Sequence, residues 1–190
     1  MGQALPMLSP IHAVSIAVRD RFRVNGTGCE LFPPSTKPGP ELLIIPLRLQ
    51  ANTALRNNVL EIASGGANPA APAKYENALP LDISYLLTTN AWFDSGQANE
   101  SHLEAIDRAL HVLQDTPFIQ LQGTLQQEVR LTIEPASTEE LSRIWAMFPG
   151  APFRLGFLIL ASPVWVIGPQ SSIAPRVTSD EQRLARTQEG

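Results

Sequence analysis

The sequence predicts an α+β fold within the broad α/β class: one domain over residues 1–168, a mixed β-sheet flanked by about three helices, and an extension over residues 169–190. Three observations lead there. At 190 residues the chain is long enough for one well-buried domain and too short for two ordinary ones. Its 44% hydrophobic and 17% charged content is that of a packed core and not of a disordered chain. Stretches of helical period alternate with stretches of period two, in the order helix, strand, strand, helix, strand, helix, strand, strand, and such mixing favours helices laid on a mixed sheet.

Ser9 and Pro10 open the first helix, where Ile11, Val14, Val18 and Phe22 form one stripe opposite Arg19 and Arg23. Asn25 to Gly28 ends it, and the proline-rich run Phe32 to Pro40 is an irregular connection. A strand is expected from Leu42 to Gln50. Pro46 lies inside it and cannot donate to a ladder, so the strand is bulged or at an edge there. Asn52 to Asn57 reads as a turn, and Ser64 to Lys74, rich in Gly, Ala and Pro, as a long flexible loop.

Leu81, Ile83, Tyr85 and Leu87 alternate with Asp82, Ser84 and Thr88, the period of a half-exposed strand. After a polar break from Trp92 to Asn99, the clearest helix turns Leu103, Ile106, Leu110 and Leu113 inward, with Glu104 and Arg108 spaced as an i, i+4 pair, until Pro117 stops it. Val129, Leu131 and Ile133 alternate with Arg130, Thr132 and Glu134 as a further strand. Ser137 to Glu140 is a capping-box signature, so a short helix begins there and buries Leu141, Ile144, Trp145 and Phe148. Phe153, Leu155, Phe157 and Ile159 alternate again, Pro163 interrupts, and Val164 to Ile167 continues as a last strand. From Pro169 to Gly190 apolar residues thin out, the composition of a tail.

With 18 acidic and 14 basic side chains the formal charge is −4, which leaves no cationic surplus for a phosphate backbone, so nucleic acid is not an expected partner. The single cysteine, Cys29, excludes an internal disulfide framework and a Cys-x-x-Cys metal site. Apolar runs are far shorter than the roughly 20 residues that cross a bilayer, and Met1 to Pro10 has no signal-peptide pattern. Synthesis inside the cell, without membrane insertion, is the expectation.

No catalytic constellation emerges. His102 and His111 fall on opposite sides of an ideal helix and cannot chelate one metal from it; His111 one turn after Asp107 is an ordinary surface pair. Ser64, Gly65 and Gly66 lack the Gly-Lys-Ser/Thr of a phosphate loop, and Cys29 beside Glu30 is not placed for activation. No catalytic, cofactor-binding or metal residue is assigned, and no cofactor is expected. Trp145 and Trp165 read as core or interface anchors; Trp92, in a polar stretch, reads as a contact residue.

Four stretches together carry a resemblance. Leu47 to Asn57 (LRLQANTALRN) ends in an Asn, a few residues, then Leu-Arg-Asn; Leu79 to Thr89 (LPLDISYLLTT) is similar to a Pro-Leu-x-Leu-x-Tyr-Leu-Leu-Thr motif; Ala105 to Pro117 (AIDRALHVLQDTP) ends in Leu-x-Asp-x-Pro; and Leu141 to Val166 carries Leu-Ser-x-Ile-Trp, then Ala-Pro-Phe-Arg-Leu and a final strand. In this order, over about Pro10 to Gly168, they resemble the amino-terminal domain of cap proteins, or tail terminators, of extracellular contractile injection systems of the virulence-cassette and antifeeding-prophage type. Two positions depart from the family pattern: Pro46 disturbs the strand before the turn, and Gly156 stands where a Ser is usual.

The resemblance implies a tail-terminator-like domain that is not an enzyme but a structural subunit of a bacterial phage-tail-like particle. It implies a homo-oligomeric, six-fold ring seated on the inner tube protein and contacted by the last layer of sheath protein. Arg56 and Asn57 in the turn, Trp92, and Arg154, expected to point outward from the last strand, are the candidate interface residues. The competing classes are a small-molecule-binding α/β domain and an enzyme of unknown type.

Overall fold

The computed structural model describes residues 9–23, 28–31, 33–34, 39–58, 60–62, 73–75, 78–90, 99–121, 127–151 and 153–167. Its elements are α1 (Pro10–Phe22), β1 (Cys29–Glu30), β2 (Leu42–Ala51), β3 (Leu60–Ile62), β4 (Ala73–Tyr75), β5 (Leu79–Thr89), α2 (Asn99–Asp115), β6 (Phe118–Leu121), β7 (Gln127–Glu134), α3 (Thr138–Ala146) and β8 (Gly156–Val166). Six strands form one mixed sheet in the order β1-β2-β5-β8-β7-β6, parallel between β1 and β2 and antiparallel elsewhere. β3 and β4 pair as a separate antiparallel ribbon, so Ala73 and Lys74, expected in a loop, belong to a strand. The rest of that expected loop, and the expected tail from Pro169, lie outside the described residues.

Helices α1 and α2 cover one face of the sheet. Val14, Val18 and Phe22 of α1 pack with Ile44, Ile83, Tyr85, Leu87, Leu131 and Ile159, as the predicted stripe requires, and Ser9–Pro10 begins the helix as expected. The Tyr85 hydroxyl lies 2.9 Å from Ser15 Oγ, which donates to the Ile11 carbonyl at 2.8 Å, so this buried polar pair is satisfied. α3 lies on the other face, where Trp145 packs with Ile45, Leu86 and Leu158. Its predicted cap is present: Ser137 Oγ accepts from the Glu140 N–H at 3.1 Å.

The inward face of α2 differs from expectation. Ala105, Ile106, Ala109 and Leu113 are buried, whereas Leu103 is 57% and Leu110 37% exposed. Leu103 and Leu110 lie seven residues apart on one stripe; the helix instead seats Ala105 and Ala109 together with Ile106 and Leu113 against the sheet.

β5 is not half-exposed. It pairs on both sides, and Ile83 to Thr89 are buried on both faces because α1 and α2 cover one and α3 the other. β8 starts at Gly156, not at Phe153, and runs through Pro163 without interruption. Pro163 is tolerated because the β5–β8 register slips between Leu81 and Ile83, leaving an extra β8 residue whose missing N–H breaks no ladder bond. Pro46 behaves as the sequence predicts: the β2–β5 register slips between Pro46 and Arg48. At Gly156 the strands approach so closely that a Cβ would lie 2.5 Å from the Leu87 carbonyl oxygen.

Candidate functional site

The two register slips lie two to three residues apart on β5, between Tyr85 and Ser84 on the β2 side and at Asp82 on the β8 side, and the second face of the sheet changes character near them. Toward Leu42 and Gly156, α3 covers it. From Ser84 toward Ala51 the same face carries Arg48, Gln50, Asp82, Ser84, Arg130 and Ser162, and on β7 Thr132 and Glu134 extend this polar surface beside Leu160 and Leu158. Alternation within each strand puts these polar side chains on the face opposite the α1 and α2 core.

Two networks order this open half. Asn52, at the end of β2, donates from Nδ2 to Asp82 Oδ1 at 2.9 Å and to Ser162 Oγ at 3.2 Å, while the Ser162 hydroxyl donates to the same Asp82 oxygen at 2.5 Å. Asn52 Oδ1 also accepts from the Leu55 N–H at 3.0 Å, an Asx-type closure that fixes the following turn. One side chain therefore ties the turn to the sheet. In the second network, Arg48 pairs with Glu134, and Ser84 Oγ donates to Glu134 Oε2 at 2.8 Å. Strands β2, β5 and β7 are thereby cross-linked across the face by side chains.

The candidate residues that the structure describes do not converge. Arg56 and Asn57 are exposed in the turn that Asn52 anchors. Trp92 lies outside the described residues. Arg154 does not point outward: it is 0% exposed, its Nη1 donates to Asn90 Oδ1 at 2.9 Å, and burial lowers its pKa from the usual arginine range. The reason is that β8 begins two residues later, so the alternation read from Phe153 onward does not apply and the chain turns Arg154 inward while Phe153 and Leu155 face outward. The sequence reasoning missed Leu49, Phe118 and Ile133, exposed aliphatic or aromatic side chains on β2, β6 and β7. For Phe118 no signal was available, because a four-residue strand is too short to show a period.

The groups with catalytic potential are quiet. Burial, reinforced by the Glu30 charge, pushes the Cys29 thiol up to about 12, and so keeps it protonated. His111 sits 3.7 Å from Asp107 with both side chains in solvent. Among the described residues no three His, Cys, Asp or Glu side chains gather to hold a metal, and no helix is long and apolar enough to cross a membrane.

The chain matches the family model of the Pvc16 N-terminal domain over residues 17–179. Among solved structures it is similar to the PVC sheath/tube terminator, in the extended state, of an extracellular contractile injection system: 18% identity, TM-score 0.57, with 97% of this chain and 66% of that chain covered. It is also similar to the tube-terminating cap of the anti-feeding prophage, at 16% identity and TM-score 0.60, with 96% of this chain and 62% of that chain covered. The chain thus spans less than two thirds of the length of either. At these identities the likeness establishes a shared fold. No curated protein matches the chain significantly.

Proposed function

The chain belongs to the Pvc16 N-terminal domain family, and from that premise we propose that it is a structural cap subunit, the tail terminator of a contractile injection particle. In this reading copies of the chain form a six-fold ring that sits on the last layer of inner tube protein, stops its polymerisation and anchors the terminal sheath layer. The observation that carries it is the agreement of the fold over 97% and 96% of this chain with two proteins that terminate such tubes. The side-chain-ordered polar part of the sheet supports it, because a polar surface held rigid before contact loses little entropy on docking.

The subunit works by surfaces and not by chemistry. Cys29 is buried and protonated, and His111 is engaged in a solvent-exposed pair. The chain is made in the bacterial cytoplasm and enters a particle that is released or held at the envelope. Residues 1–168 form the cap domain, and residues 169–190 form an arm that reaches a neighbouring cap or sheath subunit, a mode of contact that extended segments adopt by adding to a sheet edge. Arg56 and Asn57, exposed on a fixed turn, are contact residues of the ring or of the tube end.

Deleting the gene in a particle-producing bacterium and measuring tubes by electron microscopy tests this. Tubes of uncontrolled length with detached sheath, restored by the full chain, are expected; particles of normal length and sheath content without the protein overturn the reading. A chain ending at Gly168 should keep its stability and lose sheath attachment, whereas normal particles from it would remove the arm from the proposal.

A further inference from the structure

The two lateral edges of the six-stranded sheet are stepped in opposite senses. On one side β1 lies only against Leu42 and Leu43, so the outer edge of β2 from Ile44 to Ala51 has no strand against it among the described residues. On the other side β6 lies against Gln127 to Arg130, so the outer edge of β7 is uncovered only at its far end, toward Glu134. Along the strand axis, β6 stands at the end where Gln50 and Ala51 stand, and β1 at the end where Glu134 stands. β6 is thus level with Gln50 to Asn52, at the end of the uncovered β2 edge, and β1 is level with the chain just past Glu134, so the two outermost strands stand at opposite ends of the sheet.

Outward-directed backbone groups stand on both edges. Asn52 N donates to the Pro80 carbonyl at 2.9 Å, and ladder alternation then directs the N–H and C=O groups of Leu49 and Ala51 away from β5. Leu131 N donates to the Pro117 carbonyl at 2.6 Å, which by the same alternation directs those of Phe118 and Gln120 away from β7; Arg21 Nη2 already takes the Phe118 carbonyl at 2.6 Å from that side. Pro46, the bulge and Arg48 blunt the first part of this edge, and Leu49, 53% exposed, stands on the part beyond them.

We infer that the ring subunits join by sheet addition: the outer edge of β6 in one copy lies parallel to the outer edge of β2 in the next. The inference rests on the cap reading for the existence of a ring and adds the surface that builds it. The strand directions agree, since four successive antiparallel pairings from β2 through β5, β8 and β7 leave β6 parallel to β2. The sheet therefore continues with the same face inward. Leu49 extends the apolar face that Ile119 and Leu121 form, and Phe118 lies beside Gln50 and Arg48 on the polar face. The contact is heterologous, so it propagates around a closed ring instead of stopping at a pair.

Proline at an outward-directed edge position removes the donor of the joint without breaking a backbone ladder bond inside the subunit; at Gln120 it gives up only the exposed side-chain bond to Glu128. Leu49→Pro and Gln120→Pro should each retain wild-type secondary structure and melting behaviour and elute as monomers in size-exclusion chromatography with light scattering, while the wild-type chain assembles. Mixed one to one, each variant still offers the edge that the other lacks, so the mixture should form a heterodimer and nothing larger. Leu49→Lys, which leaves the backbone intact, should also be monomeric and serves if the proline variant does not fold. Assembly of any single variant like the wild type, or a mixture that stays monomeric, overturns the edge joint and leaves the cap reading standing. A wild-type chain that is monomeric alone and on purified tube ends removes the ring itself, and the joint with it.

Discussion

Gly156→Ala should destabilise this protein although alanine is the better strand residue. By reducing the freedom of the unfolded chain the substitution stabilises by about 0.5–1 kcal/mol wherever its Cβ has room. Here it has none. The new atom would lie 2.5 Å from the Leu87 carbonyl oxygen and 3.0 and 3.1 Å from Thr88 Cβ and Cα, where ordinary contact begins at 3.4 Å. β8 must therefore retreat from β5 by about 0.9 Å, the difference between 3.4 and 2.5 Å, and the obstacle is central-strand backbone that cannot swing aside. Overpacking of this kind costs about 1–3 kcal/mol. The same retreat stretches the bonds from Thr88 Oγ1 and Thr89 N–H to the Leu155 carbonyl, 2.9 and 3.3 Å long, each worth roughly 1 kcal/mol. A net loss of about 1–3 kcal/mol follows, or roughly 3–10 °C in Tm for a domain of this size. Guanidinium unfolding followed through Trp145 and Trp165, both buried, reads it directly. A midpoint equal to or above that of the wild type would refute the steric argument.

The remaining expectations concern α2 and the buried acids. Leu113→Ala should cost about 2–5 kcal/mol and Leu110→Ala under about 1, because the first is buried and the second substantially exposed; equal losses in chemical denaturation would show that α2 is rotated from the face described. Stability should fall as pH rises from about 9 toward 12, since burial holds the Cys29 thiol at about 12 against an ordinary 9.0 and the Tyr85 phenol at about 12 against 10.0. Both groups stay neutral in the folded chain while the unfolded chain releases their protons first, so their contribution is whole below pH 9 and is lost through that interval. Cys29→Ala combined with Tyr85→Phe should flatten the alkaline limb of the stability profile, and an unchanged slope would rule out these two groups as its source.

Long elements with a regular stripe were legible. The α1 stripe, the Ser137 cap and the bulge at Pro46 each follow from a local rule that tertiary packing did not override. What was not legible depended on partners distant in sequence. Whether leucine or alanine faces inward on α2 is decided by how close the sheet lies, and β5 is buried on its polar-looking face because α3, about fifty residues later, covers it. Arg154 was misplaced by extending an alternation two residues beyond the true start of β8. The candidate surface was the least legible part. Arg48, Asp82, Ser162 and Glu134 come from four strands, and nothing in their spacing announces that the register brings them together.

The paired slips at Pro46 and Pro163 also separate what the sheet must conserve from what it can vary. On the α3 side of the slips both faces are packed, so a substitution there is felt at once by the fold. On the other side, side chains of the second face meet solvent and one another, and a change to Gln50 or Arg130 leaves the core against α1 and α2 intact. Substitution can thus rewrite the outer half of one face while the buried half continues to dictate the same chain path.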